Sequence, residues 1–217
     1  MAIEEIVSEL HKNGFYKFQT PFISKSDVED FRFLLKPHLD KAGDDYLFGK
    51  AARVGPYQAW QPTPIYNLFS SPVIQGIADG FYGSKPTFNE IFATHEFRND
   101  KGLERNGFLH FDRIPTLKFF LYLTPVDRNC GAFNYVPGSY QLGKQLRTAS
   151  NAETDEYGKI KNRLEIDFPD LGYTKQNAVP VEGDAGTMFI FHSDLFHYGG
   201  TIEPGREREI IRLHVRP

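Results

Sequence analysis

Sulfur is scarce in this chain. A single cysteine, Cys130, among 217 residues cannot close an intramolecular disulfide, which excludes the stapled framework of small secreted domains and makes a reducing cytoplasm the expected setting. Long apolar runs are missing as well. The best, residues 119–123, falls far short of the roughly 18 residues that a membrane-spanning helix needs. Residues 1–10 carry Glu4, Glu5 and Glu9 where a secretory leader would have a cationic start and an apolar stretch, so neither a leader nor a membrane partner is expected. Basic blocks are also lacking. With 25 Lys and Arg against 28 Asp and Glu the net charge is −3, and the electrostatic footprint of a nucleic-acid binder is missing.

What the chain has in quantity is flat aromatic surface. Its 20 Phe and 11 Tyr favour strands and tilt the expectation towards a sheet-rich fold. Apolar and charged fractions of 40% and 24% are those of ordinary globular chains, so disordered, collagenous and coiled-coil readings are excluded. The length suits one large domain, and no repeat, low-complexity tract or linker divides it. A single domain over residues 1–217 is expected.

Ile3, Ile6, Val7 and Leu10 form an apolar helical stripe, and Gly14 follows where a left-handed cap ends a helix. A short strand over 15–19 leads to a Ser26-x-x-Glu29 capping box that opens a second helix with Val28, Phe31 and Leu35 inward and Pro37 disturbing its last turn. Residues 43–70 show neither period and read as irregular structure. A third helix is expected from Ser71 and Pro72 to about Gly83. After it the runs 87–98, 108–112, 116–124, 132–136, 178–181, 187–191 and 209–215 are rich in strand formers and separated by turn residues. Seven or more short strands imply a sandwich, a barrel or a jelly roll. Residues 141–177 interrupt the series with a polar stretch long enough to form a lid or a solvated loop.

Three of the seven histidines head a His-x-Asp triplet: His38–Asp40, His110–Asp112 and His192–Asp194. Residues i and i+2 diverge on a helix but share a face on a strand, so His38 reads as a surface or capping residue. His110 and Asp112 end a strand and can both project into a barrel mouth. Two histidines and one carboxylate form the set that holds non-haem Fe(II) on one face of its octahedron. His197, at a strand end and followed by Gly199 and Gly200, supplies the third ligand. His192 reads better as a packed strand residue. Downstream, Arg208, Ile210, Arg212 and His214 share one face of a strand whose other face is Glu209, Ile211, Leu213 and Val215. Cations on an inward face require an anionic partner, and a guanidinium pairs with a carboxylate through two parallel hydrogen bonds.

These segments resemble the phytanoyl-CoA dioxygenase family of Fe(II)- and 2-oxoglutarate-dependent oxygenases. The resemblance rests on the two opening helices with Asn13-Gly14-Phe15, on His110-Phe-Asp112, on LKFFLYLTPVDRNCGAFNYVPGSY over residues 117–140, on the glycine-flanked histidine segment 183–200, and on Arg208, 11 residues after His197. Residues 43–85 and 141–177 fall outside it. It implies a mainly β fold with flanking helices, a double-stranded β-helix or jelly roll. It implies His110, Asp112 and His197 as metal ligands and catalytic centre, Fe(II) as cofactor, 2-oxoglutarate and O2 as cosubstrates, Arg208 as the holder of the 2-oxoglutarate tail, and a small-molecule substrate. Two positions depart from the family pattern. Tyr140 stands where many members have histidine, and Gly199 where some have a serine that helps to hold 2-oxoglutarate, so Thr201 or Lys118 is expected to take over that contact. Related halogenases replace the acidic ligand, whereas Asp112 is intact, which favours hydroxylation. The rival reading is a jelly-roll metal-dependent binding protein or sugar isomerase without oxygen chemistry. A degenerate interaction module would need a broken ligand set.

Overall fold

The computed structural model describes residues 2–42, 49–97, 107–149, 163–165, 170 and 172–217. Two antiparallel sheets face each other as a double-stranded β-helix. The major sheet has the order β1 (Phe15–Lys17), β9 (Met188–His192), β5 (Leu117–Tyr122), β11 (Glu207–Arg216), β3 (Thr87–Phe97), β2 (Gly49–Pro56). The minor sheet runs β7 (Arg163–Glu165), β4 (His110–Asp112), β10 (His197–Gly199), β6 (Phe133–Tyr135), β8 (Val179–Val181).

Alternation along β11 explains the layering. Ile211, Leu213 and Val215 point outward with Ile91, Ala93, Leu117, Phe119, Leu121 and Ile190, and form one core with Ile6, Leu10, Phe31, Leu35, Ile74 and Ile77 of the helical layer. That layer consists of α1 (Ile3–Asn13), α2 (Lys25–Lys41), α3 (Pro64–Phe69) and α4 (Pro72–Tyr82). The opposite faces of the same strands, with Phe120, Tyr122, Phe133, Phe189 and Phe191, line the space between the sheets. A third cluster, Leu109, Phe111, Val136 and Phe196, lies on the outer side of the minor sheet. Leu142 and Leu146 of α5 (Tyr140–Ala149) cover it.

Several local expectations hold. Gly14 ends α1 at φ 68°, and Gly83 ends α4 at φ 67°. Others need correction. The capping box of α2 is Ser24 with Asp27, not Ser26 with Glu29, because Ser24 is the last extended residue; Ser26 is already helical and its hydroxyl bonds to that of Ser24 at 2.8 Å. α2 also runs through Pro37 to Lys41, held on both sides of the proline by buried Leu35 and Leu39. Within 49–70 the chain is regular: β2 pairs with β3, a 3-10 turn covers Tyr57–Trp60, and Thr63 caps α3 by accepting the Tyr66 N–H. Tyr57 and Trp60 are buried core residues. Of residues 141–177, expected as a lid or a solvated loop, the described part includes most of α5 and β7, which pairs with β4; residues 150–162, 166–169 and 171 lie outside the described residues.

Candidate active site

The site is built on adjoining strands of the minor sheet. β4 carries His110 and Asp112 on one face by the two-residue strand period, and on β10 His197 is the register partner of His110. The turn after β9 ties the ligand strands together. Ser193 O accepts the Asp112 N–H at 2.9 Å, and the Ser193 hydroxyl accepts the Thr116 N–H and donates to Ile114 O. His197 follows four residues on. The three side chains thus converge with one ligand atom each, all within 4.8 Å of one another.

Backbone carbonyls fix both imidazoles. Nδ1 of His110 lies 2.8 Å from Phe108 O and Nδ1 of His197 lies 2.6 Å from Leu195 O. A carbonyl only accepts, so each Nδ1 carries the proton and each Nε2 presents its lone pair to the interior. The Nε2 atoms of His110 and His197 stand 3.9 Å from Asp112 Oδ1 and Oδ2 respectively. His197 titrates well below the ordinary histidine range, first because it is buried and then because His110 and Lys118 adjoin it, against the opposing pull of Asp112. The imidazole is neutral at physiological pH. The donor set, two imidazoles and one carboxylate, suits a divalent first-row metal such as Fe(II).

Lys118, on the facing major sheet, donates to Asp112 Oδ2 and lies 5.3 Å from the centre of the Phe191 ring. It points inward. Thr201 is exposed beyond β10. Arg208 is buried at the start of β11, donating through Nε and Nη2 to Glu96 Oε2 and through Nη1 to Gly131 O. Burial works against its charge, but Glu96 and Tyr122 outweigh it and hold the guanidinium ionised. The other two His-x-Asp triplets lie elsewhere. His38 is exposed on α2 with its ring 5.0 Å from that of Trp60. His192 faces the helical side of β9, where its Nδ1 accepts the Asp194 N–H and Asp194 accepts two hydrogen bonds from Arg147 of α5. Sequence reasoning missed Glu96 and Arg147 as partners. Glu96 meets Arg208 only through strand register, and Arg147 sits on a helix whose two leucines give too faint a stripe to announce it.

A jelly roll whose inner face gathers two histidines and an aspartate, beside a buried arginine, defines a class of mononuclear metal proteins. The family model of phytanoyl-CoA dioxygenase (PhyH) matches residues 94–210, which include His110, Asp112, His197 and Arg208, and the chain belongs to that family. Among solved structures, it is similar to the epimerase SnoN in complex with Fe3+, alpha ketoglutarate and nogalamycin RO: TM-score 0.72, 16% identity, 99% of this chain and 86% of that one. It is also similar to HygX from Streptomyces hygroscopicus with nickel, 2-oxoglutarate and hygromycin B bound: TM-score 0.66, 15% identity, 98% and 86% covered. At these identities the likeness is one of fold. The uncharacterized protein Rv1501 of Mycobacterium tuberculosis is 31% identical over 98 residues, 45% of this chain; the match spans only 28% of that relative. Among the described residues no helix is long and apolar enough to cross a membrane.

Proposed function

We propose that this chain, as a single domain over residues 1–217, is a non-haem Fe(II)- and 2-oxoglutarate-dependent dioxygenase that hydroxylates a small molecule. The observation that carries the reading is the convergence of His110, Asp112 and His197 with both Nε2 lone pairs turned inward. Bound there, Fe(II) would supply the oxygen activation that no side chain can perform. Overall, the substrate C–H, 2-oxoglutarate and O2 become the C–OH product, succinate and CO2, with one oxygen atom in the product and one in succinate.

The chain's own share is binding, orientation and exclusion of water. His110, Asp112 and His197 would hold the ion, and as a set of two histidines and one carboxylate they would leave room on it for cosubstrate and oxygen. Three of the five N–H groups of Arg208 are used on Glu96 and Gly131, which presets the guanidinium; two remain for the far carboxylate of 2-oxoglutarate. Of the side chains offered in place of a hydroxyl at Gly199, inward-facing Lys118 fits the second contact better than exposed Thr201. Were Asp112 to hold an ion, the Lys118 ammonium that now donates to it would be available for that role. Phe120, Phe133, Phe189 and Phe191 wall the space and keep it dry.

The test starts from metal-free protein under anaerobic conditions. Addition of Fe(II) and then 2-oxoglutarate is expected to develop a visible metal-to-ligand charge-transfer band, and admission of air to yield succinate. A protein that binds Fe(II) but gives neither band nor succinate is not a 2-oxoglutarate oxygenase and reverts to the reading of a metal-binding jelly roll. Hydroxylation itself is checked by product mass, because the structural neighbours include an epimerase and a carbocyclase. Gain of one oxygen atom is the expected result.

A further inference from the structure

One histidine of β11 has no place in the proposed handling of metal and 2-oxoglutarate. Ile211, Leu213 and Val215 belong to the core beneath the helical layer, so by the two-residue period His214 faces the space between the sheets. Its register partner on β5 is Lys118, which donates to the carboxylate of Asp112. The ring is therefore one side chain removed from the candidate metal ligands. It packs on Phe92 with ring centres 4.6 Å apart. Its Nε2 is buried and has no hydrogen-bond partner. Buried polar atoms are as a rule paired, and a nitrogen stripped of water without compensation is a place where a ligand gains affinity by supplying the missing bond.

The chemistry of the ring selects its partner. Burial first, and then Lys118 and Arg212, pull the His214 pKa well below the usual histidine range, against the opposing effect of Asp112. The imidazole is uncharged at physiological pH. A neutral ring has one nitrogen that donates and one that accepts, and it brings no charge to offset an ion. A carboxylate or an ammonium group bound to it would lose water without gaining a counter-charge from this ring. A hydroxyl loses far less, because it donates or accepts as the ring nitrogen requires. The surrounding surface is aromatic: Phe92 lies beside His214, and Phe120 of β5 and Phe191 of β9 have ring centres 5.1 Å apart. Such walls suit an apolar body that carries the hydroxyl.

We propose that His214 binds a hydroxyl group of the substrate, and that the enzyme acts on an alcohol with an apolar body. The proposal names a substrate class for the oxygenase reading above and rests on it, so the test reads the two separately. Protein loaded anaerobically with Fe(II) and 2-oxoglutarate is titrated with benzyl alcohol and 2-phenylethanol, and in parallel with ethylbenzene and propylbenzene, which carry a methyl group in place of the hydroxyl. Perturbation of the charge-transfer band gives the affinities. At least one alcohol is expected to bind. His214→Phe keeps a ring in the same space and is expected to lower the affinity of that alcohol, relative to its hydrocarbon, by about tenfold or more. A second measurement needs no variant. In protein loaded with 2-oxoglutarate and with Zn(II), which is diamagnetic and suits NMR, the nitrogen resonance of His214 Nε2 is expected to shift when the same alcohol is added and to stay in place with the hydrocarbon. The proposal is overturned if neither alcohol binds, if the affinity ratio survives His214→Phe in protein that still forms the band, or if the Nε2 resonance does not respond to the bound alcohol. Absence of the band in the unsubstituted protein strikes instead at the oxygenase reading beneath it.

Discussion

Lys118 of the major sheet and Asp112 of the minor sheet are hydrogen-bonded across the interior, with side chains only 12% and 14% exposed. The ammonium occupies the carboxylate that an ion needs, so it neutralises Asp112 in the metal-free protein and competes with the ion for it. Lys118→Met keeps the apolar stem and removes the charge. Breaking a buried pair by deleting one partner costs about 3 kcal/mol or more, so the metal-free protein should melt earlier. The ion then binds a carboxylate it no longer shares, and the melting temperatures of metal-free and Fe(II)-loaded protein should move further apart. Calorimetry with and without Fe(II) measures both. An unchanged metal-free melting temperature would show that the pair contributes no stability.

Asp194 is fully buried and accepts Arg147 Nε at 2.5 Å and Nη2 at 3.1 Å. Burial alone would raise its pKa, but the adjoining His192 ring and the hydrogen bonds from Arg147 outweigh it and the net shift is downward. A carboxylate with a depressed folded pKa contributes stability that is present above its unfolded pKa of about 3.9 and is lost as pH falls through the lower folded value. Asp194→Asn should therefore cost about 3 kcal/mol at neutral pH. It should also flatten the acid-range fall in stability, by removing one group that takes up a proton on unfolding. Urea melts at neutral pH and across the acid range give both numbers; an Asn variant with the original acid slope would assign that slope to other carboxylates.

Gly143 lets α5 lie backbone to backbone on the turn that carries Asp194. A Cβ at this position would come within 1.8 Å of Asp194 O, which is main chain and cannot swing away. Alanine gains about 1 kcal/mol of helix propensity over glycine in a helix interior. Here that gain is smaller than the cost of displacing the helix, and Gly143→Ala should destabilise by about 1–3 kcal/mol. The turn also leads into His197, so Fe(II) affinity should fall with stability. A variant more stable than the parent would mean that α5 shifts without cost.

The sequence made the strand face of Arg208 to His214 legible because period-two alternation is local, and Gly14 and Gly83 legible because a left-handed cap is a property of one residue. That His110, Asp112 and His197 come together was legible on the same local grounds: strand context for the pair, glycines after the third. What stayed hidden was non-local or weak. α3 is six residues long and starts two residues after Pro62, so its helical period never accumulates. The partner of Arg208 depends on the register between β3 and β11, which no single strand encodes. The cap of α2 slipped by two residues because serine and an acidic residue three positions on occur twice in succession, at Ser24–Asp27 and Ser26–Glu29, and only the earlier pair precedes the helix.

Arg208 gives the sharpest division between cosubstrate and metal. Its guanidinium is fixed by Glu96 and by the Gly131 carbonyl, and the two N–H groups left over are those assigned to the 2-oxoglutarate carboxylate. Each charge-assisted hydrogen bond is worth about 1.5–3 kcal/mol, so Arg208→Ala should raise the 2-oxoglutarate requirement by about a hundredfold or more and leave Fe(II) affinity nearly unchanged. The substitution also strands Glu96, whose side chain is 17% exposed, and some stability will be lost with it. Adding Glu96→Gln removes that stranded charge. The double variant should therefore recover melting temperature without recovering 2-oxoglutarate affinity, a split that a purely structural arginine would not produce. Arg206, exposed in the turn before β11, serves as the control. Titration of the charge-transfer band in the three variants reads the affinities directly, and an Arg206→Ala protein as impaired as Arg208→Ala would move the assignment to that residue.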